Sequence, residues 1–140
     1  MWREVLSTKW PEVEFSPPCS LANVESVEAS LGMPLPDELR ALYFETDGVY
    51  STRAYMWIVW CINDVLKRTH YMHTSPDIAF YEKSFNELLF FGDLGNGDLL
   101  AFQTDSTLQS YQSVGIWDHE TGEYLESAKS MQEMIDKNLL

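Results

Sequence analysis

The sequence has little positive charge. Nine Lys and Arg residues stand against 22 Asp and Glu in a chain of 140 residues, which gives a formal net charge of −13. Nucleic acids and anionic membranes are bound through positive charge, so this deficit argues against direct binding to either of them. It suits a partner that is itself basic, although a high net charge can also serve only to keep a protein in solution.

Cysteines and long apolar runs are also scarce. Cys19 and Cys61 lie far apart and in no metal-ligand or redox spacing, which predicts reduced thiols rather than a disulfide. The first residues lack the basic region and apolar stretch of a signal peptide, and the longest apolar-rich run, residues 55–62, is too short to cross a bilayer. We therefore expect a cytoplasmic protein that does not bind membranes.

Residue patterns that are typical of catalytic or metal sites are missing as well. Residues 95–98 are glycine-rich, but they lack the Lys and Ser or Thr of a phosphate-binding loop and join two predicted strands, so we expect a hairpin turn. His70 and His73 are three residues apart but lack the glutamate of a zinc-binding helix. Asp118 and His119 follow each other in a predicted strand, where successive side chains point to opposite faces, so we expect them not to converge. The sequence predicts no enzyme, no metal and no cofactor.

Apolar residues make up 45% of the chain and aromatic residues 14%, which is enough for the core of one domain over residues 1–140. Apolar spacing predicts helices at residues 2–10, 20–31 and 36–46, a short one from about residue 62, and one at the C-terminus. Ser20 and Gly32 are the expected caps of the second helix. Ser130 and Glu133 form a capping box that opens the last helix, whose inward side chains are predicted to be Met131, Met134, Ile135 and Leu139.

Residues that favour strands predict β-strands at 54–60, 88–91, 99–103 and 114–118, with a further short strand at 78–81. Turns rich in Asp, Asn, Gly, Glu and Thr follow the second and fourth of these strands. Helices followed by an antiparallel sheet and a closing C-terminal helix are the order of an α+β domain.

Four stretches, in this order, carry a resemblance to a known family. Residues 28–43 read Glu-x-x-Leu-Gly-x-x-Leu-Pro-x-x-Leu-x-x-Leu-Tyr, and residues 91–102 read Phe-x-x-x-Gly-x-Gly-Asp-x-x-x-Phe. Residues 114–120 contain Val-x-x-Trp-Asp-His-Glu, and residues 128–135 contain Ala-x-Ser-Met-x-Glu-x-Ile. Together they resemble the SUKH superfamily, which includes the fungal Smi/Knr cell-wall assembly regulators and many bacterial immunity proteins.

The resemblance implies an immunity protein that binds one cognate bacterial toxin in the cytoplasm and neutralises it without turnover. Many such toxins are nucleases with basic clefts, which an acidic surface can block. The alternative is a non-catalytic regulatory or scaffold module that binds other proteins, as the fungal relatives are. Nothing in the sequence predicts the oligomeric state.

We expect acidic and aromatic residues outside the shared motifs, together with the polar hairpin residues, to bind the partner. Residues 54–86 match little of the family, and variation there suits recognition of diverse partners. A half-buried sheet face explains the aromatic candidates as well as an exposed patch does. The candidate partner-binding residues are Asp47, Tyr50, Tyr55, Trp57, Asp93, Asn96, Asp98, Asp118 and Glu120.

Overall fold

The computed structural model describes residues 1–105, 107 and 109–138. It confirms a single α+β domain with a C-terminal helix. The helices are α1 (Trp2–Lys9), α2 (Leu21–Leu31), α3 (Asp37–Tyr43), α4 (Ile62–Thr74), a 3₁₀ helix (Pro76–Tyr81) and α5 (Met131–Asp136). The strands are β1 (Val13–Phe15), β2 (Val49–Ser51), β3 (Met56–Val59), β4 (Leu88–Asp93), β5 (Leu99–Thr104), β6 (Tyr111–Trp117) and β7 (Tyr124–Ala128).

The seven strands form one antiparallel sheet in which their spatial order equals their order in the chain. Strands β2, β4 and β6 therefore run in the same direction, and the connections that follow them lie at the same end of the sheet. We call this end the turn edge; it comprises residues 52–55, 94–98 and 118–123. The helical connection from β3 to β4 begins and ends at the opposite end.

The core lies between the sheet and the helices that pack on it. Helix α4 contacts both α2 and β4, α5 packs on β6 and β7, and α1 packs on β1 and α3. At the centre of the sheet, Phe102 of β5 is paired with Leu89 of β4 and with Val114 of β6. All three side chains are buried.

Side chains close the helix ends largely as the sequence predicts. The Ser20 hydroxyl accepts a hydrogen bond from the Asn23 amide at 3.1 Å, and Gly32 ends α2 with a left-handed φ of 73°. The Ser130 hydroxyl accepts from the Glu133 amide at 3.0 Å. The Glu38 carboxylate, a contact that the sequence does not reveal, accepts from the first two amides of α5 and ties α3 to the C-terminus. Residue 139, predicted to face inward on this helix, lies outside the described residues.

One predicted strand is shorter than expected, and another is wrong. The strand predicted at residues 54–60 is present as β3 but covers only Met56–Val59, because residues 52–55 form a turn in which Tyr55 has a left-handed φ of 55°. Residues 78–81 belong to the 3₁₀ helix, which begins at Pro76 after the Ser75 cap. Three strands were not predicted: β1 and β2 have only three residues each, and β7 alternates weakly at the sheet margin.

Candidate interaction surface

Two loops of the turn edge are fastened to each other by Asp98 and His119. One carboxylate oxygen of Asp98, Oδ1, accepts a hydrogen bond from the His119 backbone amide at 3.0 Å and lies 2.6 Å from the His119 ring atom Nδ1. Gly97 has a φ of 98°, and a Cβ at this position would come within 2.9 Å of the His119 ring. The β4–β5 loop and the β6–β7 turn therefore form one joined surface.

The charges of this pair support each other. The hydrogen bond to the Asp98 carboxylate raises the pKa of the His119 imidazole above its usual range, and the nearby carboxylates add to this. The bonds from the His119 amide and ring lower the pKa of Asp98. Both shifts favour the ionised form of each partner.

The expectation that Asp118 and His119 do not converge is wrong. Strand β6 ends at Trp117, so both residues lie in the turn, where the alternation of a strand does not apply. Ligand atoms of Asp98, Asp118 and His119 lie within 4.8 Å of one another, the one such metal-compatible group among the described residues. A cation there would compete with the bond between Asp98 and His119.

The other side chains of these two loops add hydrogen bonds within each loop and make the loops acidic. The Asn96 side-chain oxygen accepts from the Asp98 amide at 3.0 Å, and an Asp118 carboxylate oxygen accepts from the Glu120 amide at 2.8 Å. Glu120 and Glu123 are exposed. Residues 94–98 and 118–123 together carry four carboxylates and no Lys or Arg.

Asp93 lies at the end of β4, just inside the turn edge, and is occupied by neighbours of its own chain. Its Oδ2 accepts a hydrogen bond from the Trp60 indole at 2.8 Å and lies 3.5 Å from the Arg68 guanidinium. The same guanidinium stands over the Trp60 ring, 4.4 Å from its centroid. The carboxylate of Asp93 is thus partly neutralised, which makes it a weaker anchor for a basic partner.

Asp47 precedes β2 and therefore lies at the opposite end of the sheet from the turn edge. Its Oδ1 accepts a hydrogen bond from the Ile62 amide at 2.8 Å and so holds the start of α4. Burial, with a further contribution from Asp47, raises the pKa of the Cys19 thiol to about 12. Cys19 and Cys61 are both free cysteines. In the structure, Asp47 therefore positions the start of α4.

The three aromatic candidates divide into a packed pair and a free side chain. Tyr50 of β2 and Trp57 of β3 are cross-strand neighbours whose rings meet edge to face, 5.2 Å between centroids, and both are half-buried. Tyr55 is 80% exposed in the turn between these strands. A Cβ at Gly95 would lie 3.1 Å from Met56, which shows that the β2–β3 turn borders the β4–β5 loop. Tyr55 therefore belongs to the turn edge.

The 3₁₀ helix also reaches this surface, which sequence reasoning missed. The Tyr81 hydroxyl donates a hydrogen bond to the carbonyl of His119, and its ring packs edge to face on Trp117 at 5.3 Å. Phe80 beside it is 72% exposed. The Ser75-Pro76 start of a helix was a usable signal in the sequence, but the exposure of the next aromatic residue was not.

Of the two histidines of α4, His73 is bound within its own chain. His73 Nε2 lies 2.7 Å from the Leu88 carbonyl, and burial lowers the pKa of its ring. Its hydrogen bond fixes α4 on β4.

Within the described residues, no helix combines the length and apolar character needed to span a bilayer.

The model of the SMI1 / KNR4 family (SUKH-1) matches residues 18–137, which is most of the chain and includes both joined loops of the turn edge. No curated protein matches the chain.

Proposed function

The chain belongs to the SMI1 / KNR4 family (SUKH-1), and from this premise we propose that it is an immunity protein that neutralises a cognate bacterial toxin. Proteins of this family commonly provide immunity to toxins and are generally non-catalytic. The protein would act in the cytoplasm as a stoichiometric inhibitor that binds the toxin and catalyses no reaction.

The observation that carries this proposal is the acidic turn edge. Asp98 and His119 join two loops into a preformed surface, so little conformational entropy is lost when a partner binds there. The same loops present carboxylates without any Lys or Arg. A toxin that acts on nucleic acid has a basic cleft, because the cleft must hold phosphates.

The inhibitory step is steric and electrostatic. Opposite potentials on the two proteins speed their encounter, and the acidic surface then occupies the cleft in place of the phosphate backbone. Because the complementary charges act over a distance of roughly 10 Å at 0.1 M salt, association should slow as salt is added.

The test is co-expression with the toxin domain encoded immediately upstream of this gene. We expect the wild-type protein to restore growth and to form a one-to-one complex with the purified domain. Glu120→Lys on the turn edge should slow association, whereas the matched change Glu25→Lys, an exposed position on α2, should not. If the wild-type protein neither binds the domain nor restores growth, the proposal is wrong.

The same experiment separates the alternative function. A regulatory or scaffold module would form an endogenous complex in cells that lack the neighbouring toxin gene. Recovery of such a complex, together with no binding to the toxin domain, would favour regulation over immunity.

A further inference from the structure

An exposed aromatic side chain stands beside the acidic loops. Phe80, on the 3₁₀ helix, leaves 72% of its surface in solvent although it is fully apolar. Tyr71, near the end of α4, is 46% exposed, and its hydroxyl donates to Asp77 at 3.3 Å. Large aromatic side chains that are exposed on a free protein are frequent energetic centres of protein interfaces.

Packing on neighbouring aromatic rings holds Phe80 in place. Its ring stacks in a tilted arrangement on Tyr81 with 4.2 Å between centroids. Tyr81 is wedged against the β6–β7 turn, because a Cβ at Gly122 would come within 2.6 Å of its ring. Its ring also meets Phe85 and Trp117 edge to face at 5.6 and 5.3 Å. An aromatic side chain fixed in this way loses little freedom when it is buried by a partner.

The charges around Phe80 identify the kind of partner. Burial raises the pKa of the Tyr81 hydroxyl, and the negative charge of nearby Asp118 raises it further. Asp77 and Glu82 are exposed on either side of Phe80 along the chain. The nearby cation is Lys83, whose ammonium donates to the Thr121 carbonyl at 3.2 Å. Carboxylates thus outnumber cations around the exposed ring.

The net charge disfavours a second copy of the chain as the partner at this surface. The chain carries a net charge of −13, and self-association here would bring the carboxylates of two copies together. A basic protein surface gains from the same charges. Arg is common at interface centres and can stack on an aromatic ring while it pairs with a carboxylate.

We propose that Phe80 is the aromatic anchor of the toxin interface, inserted into a basic surface of the toxin whose cations face Asp118 and Glu120. This inference rests on the proposed function and names the contact that would supply its affinity. It also gives a role to residues 76–82, which lie in the part of the sequence that resembles the family least.

The test measures binding of purified variants to the upstream-encoded toxin domain by surface plasmon resonance. Phe80→Ala should raise Kd by about 30-fold, mostly through faster dissociation, as expected for an interface hot spot. Leu21→Ala removes a similarly exposed apolar side chain, 53% exposed, from α2 and should change Kd by less than about twofold. Thermal unfolding of Phe80→Ala should match that of the wild type, since the ring is mostly in solvent.

The outcomes separate the two proposals. If the wild-type protein binds the toxin domain and Phe80→Ala binds it as tightly as Leu21→Ala does, Phe80 is not the anchor. The proposed immunity function would still stand. Failure of the wild-type protein to bind overturns both. A wild-type dimer in sedimentation velocity that Phe80→Ala converts to monomer assigns the ring to self-association and overturns the anchor.

Discussion

The two halves of the sheet are stabilised by different means. In the long-strand half, β4–β7, the strands are five to seven residues long and pair with each other over most of that length. In the short-strand half, β1–β3, they are three or four residues long. Ladders that short supply few backbone hydrogen bonds, so side chains that bind the backbone must contribute more there.

Three consecutive residues after α3 supply those bonds in the short-strand half. The Glu45 carboxylate binds the first amides of α1, and the Asp47 carboxylate binds the first amide of α4. Between them, the buried Thr46 hydroxyl joins the chain before β2 to the chain after β1. One polar tripeptide thus fixes three segments that the short ladders alone would hold weakly.

The halves meet at a narrow junction. Val59 of β3 pairs with Gly92 of β4, the next amide, of Trp60, donates to the Phe91 carbonyl, and α4 then lies along the edge of β4. The Thr69 hydroxyl accepts from the Phe90 amide at 3.1 Å and donates to the Phe90 carbonyl at 3.2 Å. The Thr69 side chain thus satisfies the backbone groups of Phe90 that a neighbouring strand would otherwise bind.

The largest expected effect comes from blocking this junction with Gly92→Ala. The new Cβ would lie 2.0 Å from the Ile58 carbonyl oxygen, so β3 must move away from β4. We expect a loss of about 3 kcal/mol in the free energy of unfolding, measured by urea titration.

Gly32→Ala is the control for that change. It introduces the same methyl group at a φ of 73°, but among the described residues nothing lies within 4 Å of it. The cost there should be about 1 kcal/mol, from backbone strain alone. Equal losses for the two variants would mean that the halves are not tightly joined at Gly92.

Thr69→Val should have an intermediate effect. The change keeps the shape of the side chain but leaves the buried amide and carbonyl of Phe90 without their partner, at a cost of about 2 kcal/mol. Hydrogen exchange should be faster at the Phe90 amide. Thr74→Val, on an exposed part of the same helix, should change neither quantity, and unchanged exchange at Phe90 in Thr69→Val would show that the hydroxyl does not close the edge.

Glu45→Gln tests the short-strand half and should cost least, about 1 kcal/mol, as for loss of a helix cap. Partial burial opposes ionisation of Glu45, but hydrogen bonds from the N-terminal ammonium and from the Trp2 and Arg3 amides lower its pKa below the usual 4.5. A lowered pKa stabilises the fold above the unfolded-state value, and this contribution is lost as pH falls through the folded-state pKa.

The pH dependence of unfolding checks this assignment. The stability difference between wild type and Glu45→Gln should be complete at neutral pH and should shrink in the acid range below pH 4.5. Glu14→Gln, at an exposed position in β1, is the matched control and should change the free energy of unfolding little. A difference that stays constant into acid would show that Glu45 acts without its charge.

The long-strand half was also the more predictable from the sequence. The β4–β5 hairpin follows from two apolar runs around a Gly- and Asn-rich turn, and Trp117 follows from its strand-forming neighbours. In the short-strand half, β1 and β2 escaped prediction because three-residue strands carry too little periodicity, whereas β3 lies within the strand predicted at residues 54–60. The turn at residues 52–55 lacks the Gly, Pro or Asn that normally reveals one.

The candidate surface was predictable in part. The polar hairpin residues Asn96, Asp98, Asp118 and Glu120 were identified from turn composition, and the structure brings them together at one end of the sheet. Asp47 was indistinguishable in the sequence from a surface carboxylate, because its helix-capping partner lies 15 residues away. Phe80 was missed since the sequence does not say which aromatic residues the sheet leaves uncovered.

The strand order has a consequence for how the chain folds. Each strand pairs with its neighbours in the chain, so the contacts from β4 to β7 close short loops and lose little chain entropy. The β3–β4 pairing must instead wait for α4 and the 3₁₀ helix to bridge a much longer segment. We expect the β4–β6 strands to form the folding nucleus and β1–β3 to add late, so that the loops which carry the acidic surface are in place before the N-terminal strands.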